Sequence, residues 1–454
     1  MSASGRSGWL VLDVDDTLVD TRRTGLAKVR RVAADLGLPH LPAADFDAAY
    51  GTRSFPACVA TWFPETDVEA FCAGYDRSAA AIPPVPLCDG GRIVTAARAA
   101  GMGVGVLTNG PGGKTEVKLA AVGLTASALD FVCHADNWPV AKPHPNAFAG
   151  LTAFGLQPDR TWYVSDAAAD CRGSQAAGLR TVGVAAAGAA GRSAGPDLVL
   201  SRTALLESVI PALPDLPPRT FAGPPRAVGF DAGFTLVQDR ADAADLVAAR
   251  LRAAGKPVLE ATVRAALGDH RHLLADRTAW SSDASIARLL DTFYRAVLRA
   301  LGDAEPDHSA AAVIARYTSA ENWRALPGAQ AALGLARARG LSTGVLSNWQ
   351  SSLDQVLSAT GLRDLLDAVV ASADVGAAKP APAAFAALAD ALGIRVGALV
   401  YVGDDAAGDA AGVLGVGGRA VLIHPAAGRE ERIAAVAMAL PGRPVDDIDG
   451  AQGS

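Results

Sequence analysis

Asp13 and Asp15 lie two residues apart directly after the apolar run Trp9-Leu10-Val11-Leu12, a spacing suited to phosphoryl transfer. A carboxylate freed at the end of a strand can attack phosphorus in line and hold the group as an aspartyl-phosphate, the role that Asp13 is placed to play. A second carboxylate on the same side of the turn, Asp15, can protonate the departing alkoxide and then take a proton from the water that opens the intermediate. The negative charge of the transferred group calls for a fixed cation and a hydroxyl donor, for which Lys142 and Thr108 are the candidates. A small hard cation prefers carboxylate oxygens, so Asp13 with Asp166 or Asp170 makes a Mg²⁺ site, and Asp15 is counted among its candidate ligands.

The same parts recur in the same order later in the chain. Asp231 follows Ala227-Val228-Gly229-Phe230, and Ser347, Lys379, Asp404 and Asp409 answer to Thr108, Lys142, Asp166 and Asp170. The three rear motifs lie 237 to 239 residues from their counterparts, while the first signatures are only 218 apart. This is a large internal repeat, with about twenty extra residues between the first and second motifs of the second copy. One position breaks the symmetry: Gly233 stands where the first copy has Asp15. Loss of that carboxylate removes an acid–base contribution of ~10² to 10⁴ in rate. Slow or absent turnover of alkyl phosphates is therefore expected in the second half, unless a good leaving group, a cap base such as His270 or His272, or a stable phosphoenzyme restores a function.

Residues so far apart in sequence meet only if the chain brings strand ends together. Short apolar runs that stop at a polar motif alternate with helical patterns, for instance 91–100, 354–360 and 382–392, which argues for βαβ units on a parallel sheet. The motifs then sit at the C-terminal strand ends, where open α/β sheets bind ligands. The expected fold is α/β: two tandem Rossmann-like parallel-sheet domains, each with a helical cap inserted after its first strand. Residues 1–210 form the first domain with a cap at about 20–82, and 226–441 the second with a cap at about 239–325. The proline-rich stretch 211–225 favours an extended connector with the boundary near Thr220, and 442–454 is a polar tail. Extra core helices are the alternative reading of the two caps.

The set Asp13-Val14-Asp15-Asp16-Thr17, Thr108, Lys142-Pro143 and Asp166 through Asp170 resembles the haloacid dehalogenase-like superfamily, as do Asp231, Thr235, Ser347, Lys379-Pro380 and Gly403-Asp404 through Asp409. Each motif is weak singly, but four in order, twice, are specific. The departures are Ser165, where the family usually has glycine, and Gly233. The resemblance implies a Rossmann-like core, a helical cap, Mg²⁺ dependence and hydrolysis of phosphate monoesters. Family members that cleave carbon–halogen bonds do without the metal carboxylates, so Asp404 and Asp409 argue against that chemistry in the second half.

Bulk properties narrow the class further. Hydrophobic residues at 50% fit packed α/β layers, and a net charge of −6 without a basic stripe excludes nucleic acid as the main partner. No stretch is long enough and apolar enough for a membrane span. The short polar lead 1–8 leaves no room for a secretory signal, and five cysteines without a CxxC pair point to reduced thiols in the cytoplasm. Asp16 reads as a solvated turn residue, Trp349 as a core residue, and His270 with His272 as an unsuitable zinc pair. The leading function is a phosphatase of small phosphorylated metabolites, with the first domain catalytic and the second impaired or divergent. A phosphotransferase or mutase would use the same residues, and a third reading makes the second half a binding or scaffold module docked as an intramolecular pseudo-dimer.

Overall fold

The apolar runs become strands buried on both faces. In the computed structural model, which describes residues 6–51, 54–185, 195–218 and 223–441, β1 (Gly8–Leu12), β2 (Met102–Leu107), β3 (Phe131–Cys133) and β4 (Thr161–Ser165) pair in parallel in the order β4-β1-β2-β3. β1, β2 and β4 are buried along their whole length, as parallel strands covered on both sides must be. The nucleophile candidate thus leaves a strand flanked by the two strands that deliver Thr108 and Asp166.

The second compact unit repeats this plan. Its strands are the part of β5 (Arg180–Val184) from residue 182 on, β6 (Leu198–Leu200), β7 (Ala227–Phe230), β8 (Val237–Asp239), β9 (Trp323–Ala325), β10 (Ser342–Ser347), β11 (Ala368–Ala371), β12 (Leu399–Gly403) and β13 (Arg419–Leu422). The parallel order is β11-β10-β7-β12-β13-β6-β5, so β7 is flanked by β10 and β12 as β1 is by β2 and β4. β8 and β9 pair antiparallel at the two ends of the second cap insert. The α/β class and the two tandem Rossmann-like domains are as expected.

Each cap has its own apolar centre. In the first unit, helices Thr21–Asp35, Ala43–Ala49, Phe55–Trp62 and Val68–Arg77 gather Val29, Phe46, Val59 and Phe71 into one cluster. In the second, helices Ala243–Ala253, Glu260–His270, Asp283–Ala300 and Pro306–Tyr317 gather Leu251, Val263, Phe293 and Val297. The helix Asp283–Ala300 shows why: Ile286, Leu290, Phe293 and Val297 recur at helical spacing and are all buried. Separate cores mark these helices as caps and not as additions to the sheet layers.

The compact units are residues 1–181 and 182–454, because residues 182–184 pair with β6 and β6 pairs with β13. Residues 211–215 of the proline-rich stretch lie in a 3₁₀ helix, Ile210–Asp215, with Leu213 buried. Apolar burial against the segment Ala406–Ala411 overrides the extended preference of the prolines there. Thr220 and the tail 442–454 lie outside the described residues. Among the described residues no helix is long and apolar enough to cross a membrane.

Candidate active site

β1 ends at Leu12, and the backbone N–H of Asp13 still donates to Val164 in the ladder before the chain turns. The turn needs a left-handed residue, supplied by Asp16 at φ 53°, a conformation that Asp tolerates better than most residues. Asp13 is 5% exposed, and its Oδ1 lies 2.6 Å from Lys142 Nζ. The same ammonium lies 2.8 Å from Asp170 Oδ2 and donates to Tyr163 Oη at 2.8 Å. Ser165 Oγ donates to Asp13 Oδ2 at 3.0 Å, while Thr17 Oγ1 donates to Asp166 Oδ1 at 3.1 Å. Asp13, Lys142 and Asp170 therefore meet around one buried point, with Asp166 held on Thr17.

Asp15 is half-exposed and forms an ion pair with Lys118 on helix Gly112–Ala121. Its carboxylate is thus held by a cation from another element. Thr108 is buried at the end of β2, and its hydroxyl accepts from Gly110 N at 3.1 Å. Asp16 is not the solvated turn residue expected. Its left-handed backbone aims the carboxylate at the start of helix Thr21–Asp35, where it accepts from Arg22 N at 2.7 Å and Thr21 Oγ1 at 3.0 Å. Free N–H groups at a helix start favour such an anion.

The second unit builds the same core more tightly. Lys379 Nζ lies 2.6 Å from both Asp231 Oδ1 and Asp409 Oδ1 and donates to Tyr401 Oη at 2.9 Å. Ser347 Oγ donates to Asp231 Oδ1 at 2.9 Å, and Thr235 approaches Asp404 at 3.4 Å. The glycine at 403 is required: a Cβ there would lie 2.1 Å from Asp409 Oδ2. In the first unit Ser165 occupies the equivalent strand end and places its hydroxyl on Asp13.

These acids fit a small cation. Oxygens of Asp231, Asp404 and Asp409 lie within 4.8 Å of one another, the one such cluster among the described residues. In the first unit Asp13 and Asp170 likewise share one lysine, but its acids form no cluster as close as that of the second unit among the described residues. Burial pushes the Asp13 carboxyl up to about 6 despite Lys142 beside it. Burial, with Asp13 and Asp16 as further negative neighbours, holds Asp166 well above the usual carboxylate range. Burial opposes the charge on Lys142, yet Asp13 and Asp170 outweigh it and raise its pKa.

In the second unit burial, then Asp231 and Asp409, raise Asp404 to about 8, and burial raises Asp409 to about 6 despite Lys379. Between the ordinary value of about 3.8 and about 8 the folded chain thus keeps protons that the unfolded chain has released. Stability from this cluster is greatest below that window and is lost as pH rises through it. Without divalent ions, the melting temperature is expected to fall from pH 5 to pH 8, with a smaller slope in Asp404→Asn. Mg²⁺ at ~100 times its pH 8 dissociation constant should raise the melting temperature by roughly 5–10 °C at pH 8, and the same concentration should raise it by less at pH 5. Equal Mg²⁺ shifts at both pH values would refute this account of the cluster.

Several site residues carried no assigned role. Asn109 clamps the lysine loop of the first unit, its Nδ2 donating to Lys142 O at 2.8 Å while its Oδ1 accepts from Lys142 N at 2.9 Å. Asn348 does the same for Lys379 at 3.1 and 2.8 Å. Tyr163 and Tyr401 hold the ammonium groups. Their repetition at matched offsets was a visible signal; Lys118 offered none. His272 lines the cavity of the second unit, while His270 turns its Nδ1 to Ala266 O at 2.8 Å. Trp349 lines the cavity too, instead of packing wholly in the core.

Comparison with known proteins yields two matches along the chain. Haloacid dehalogenase-like hydrolase profiles cover residues 10–184 and, separately, 225–417. Phosphatase MT3486 of Mycobacterium tuberculosis (strain CDC 1551 / Oshkosh) is 41% identical over 99 residues, 21% of this chain and 45% of that protein. Haloacid dehalogenase-like hydrolase domain-containing protein 3 of Mus musculus is 33% identical over 125 residues, 28% of this chain and 49% of its own length. The chain thus spans about half the length of these curated relatives. Among solved structures, a HAD phosphatase from Thermococcus onnurineus aligns at a TM-score of 0.32 and 23% identity, over 44% of this chain and 86% of that one.

Proposed function

The chain belongs to the haloacid dehalogenase-like hydrolase family, in two tandem copies, and from that premise we propose a Mg²⁺-dependent phosphatase of small phosphorylated metabolites whose first unit carries the turnover. The observation that supports this most directly is the buried Asp13 carboxylate 2.6 Å from Lys142, with Asp15 two residues along at the crevice edge. Asp13 attacks phosphorus, the P–O bond to the alcohol breaks, and Asp15 delivers the proton that the leaving alkoxide needs. Water then opens the aspartyl-phosphate while Asp15 takes its proton. Lys142 balances charge on the nucleophile and the phosphoryl group, and the Asn109 clamp fixes its backbone. Asp13 and Asp166 in the first unit, and Asp231, Asp404 and Asp409 in the second, would hold the ion. Once bound, it neutralises charge on the phosphoryl oxygens.

The second unit keeps the nucleophile Asp231, the hydroxyl of Ser347 and the cation Lys379, but at Gly233 it has no group to move a proton. It is therefore impaired for alkyl phosphates. The five free cysteines accord with a reducing, cytoplasmic setting.

A panel of phosphorylated metabolites, assayed on the intact chain with and without Mg²⁺, tests this reading. Inorganic phosphate should be released only with the ion; transfer to an added acceptor without phosphate release would make the enzyme a phosphotransferase. Asp15→Asn should lower turnover of an alkyl phosphate by ~10² to 10⁴. With Asp231→Asn added, so that only Asp13 can be charged, intact mass spectrometry should still detect a phosphoryl group on the chain with acetyl phosphate, whose leaving group needs no acid. An Asp15→Asn chain of unchanged rate would sink the acid–base assignment.

A further inference from the structure

The second unit has a cavity of about 880 Å³ over Asp231, Ser347 and Lys379, and its walls are aromatic. Trp280, Tyr317 and Trp323 come from the cap insert, Trp349 from the loop after β10, and Phe234 from the turn after Asp231. Trp323 and Trp349 meet edge to face at 4.6 Å between ring centres, and Tyr317 meets Trp323 at 5.8 Å. Phe234 holds a left-handed backbone at φ 55° and stays 42% exposed, an uncommon conformation for a bulky side chain and one that leaves its ring available at the cavity. Trp323 is 3% exposed, and its indole N–H is buried without an acceptor among the described residues. A buried donor of this kind calls for a partner, and Trp323 is among the residues that line the cavity.

The nucleophile end of the same cavity restricts the leaving group. Gly233 cannot donate a proton, and a Cβ built there would meet only the Trp349 ring, at 3.5 Å. The indole thus lies beside the place from which an acid would reach the departing oxygen, and no acid stands there. An alkoxide, whose conjugate acid ionises near that of water at ~15.7, leaves poorly without a proton. A phenoxide, whose conjugate acid ionises near ~10, leaves far more readily. Aromatic walls and the missing acid point to the same molecule.

We propose that the second unit is an aryl phosphatase site, taking the phosphate monoester of an aromatic hydroxyl whose ring bears a hydrogen-bond acceptor for Trp323. The proposal rests on Asp231 as nucleophile, as argued above. An oxygen of Asp231 forms a bond to phosphorus as the P–O(aryl) bond breaks; the phenoxide departs with the electron pair and is protonated by solvent. Water then attacks phosphorus, releasing inorganic phosphate and restoring the carboxylate, with its proton passing to solvent. A nucleoside 5′-monophosphate has a ring but an alkoxide leaving group, so the same site binds it without efficient turnover.

The test uses the full-length Asp13→Asn chain with Mg²⁺, so that only the second site can turn over. Phenyl phosphate and 4-carboxyphenyl phosphate are compared with 2-phenylethyl phosphate, which keeps the ring but has an alkyl leaving group. The aryl esters should be hydrolysed with kcat/KM at least ~10² above 2-phenylethyl phosphate, which should nonetheless inhibit them competitively. Trp323→Phe should selectively raise KM for 4-carboxyphenyl phosphate. Equal kcat/KM for aryl and phenylethyl esters, or no competition by the latter, overturns the proposal while leaving the nucleophile intact. Acetyl phosphate separates the two levels: if it leaves no phosphoryl group on Asp231, detectable by intact mass and absent in Asp231→Asn, the reading of the site fails and the proposal with it.

Discussion

Asp13→Asn should lower hydrolysis of an alkyl phosphate by ~10³ or more, whereas Asp231→Asn should change it by less than twofold. The two substitutions are chemically identical and both fall on a buried carboxylate beside a lysine, 2.6 Å from Lys142 in one unit and from Lys379 in the other. An amide cannot form the phosphoryl bond, so each removes the covalent step from its own unit. The contrast arises two residues on, where Asp15 can protonate an alkoxide and Gly233 cannot. Lys142 and Lys379 keep Asp170 and Asp409 as ion-pair partners in the variants, which protects both folds from a wholly unpaired buried ammonium. Initial rates of phosphate release from one alkyl ester, with melting temperatures of both variants as the control for folding, decide the matter. Equal losses would mean that the two units share turnover and that the missing carboxylate has no consequence.

Restoring the carboxylate should do the reverse. In an Asp13→Asn background, Gly233→Asp is expected to raise alkyl phosphate turnover by ~10² to 10⁴, the usual worth of a positioned acid–base group. The position admits the change. Gly233 is not among the glycines with a left-handed backbone, and the added Cβ would meet Trp349 at an ordinary contact distance of 3.5 Å. Everything else the step requires is already assembled: Ser347 and Lys379 on Asp231, and three acids within 4.8 Å. Aryl phosphates should gain much less, because their leaving group has little need of the proton. A folded variant with no gain on alkyl esters would show that another feature limits the second unit.

Much of this was legible in the residues. Strand-ending carboxylates, the order of four motifs and their repetition at 237 to 239 residues predicted both sheets and both buried acid–lysine clusters. The missing carboxylate at Gly233 is a property of sequence alone. The caps were legible as amphipathic inserts because helical spacing of Ile286, Leu290, Phe293 and Val297 is a local signal.

Other features had no local signal. The prolines of 211–225 mark a boundary by backbone preference, yet pairing of β6 with β13 draws the second unit back to residue 182. Lys118 reaches Asp15 across 103 residues, and Ser165 reaches Asp13 across 152. The aromatic cavity draws its walls from the cap insert and two separate loops. Periodicity and spacing report what each segment buries and where it turns, since those depend on neighbours in the chain. Which side chains come within hydrogen-bonding or ring-contact distance depends on strand order and on the turn that aims each group, and these are decided only when the segments pack together.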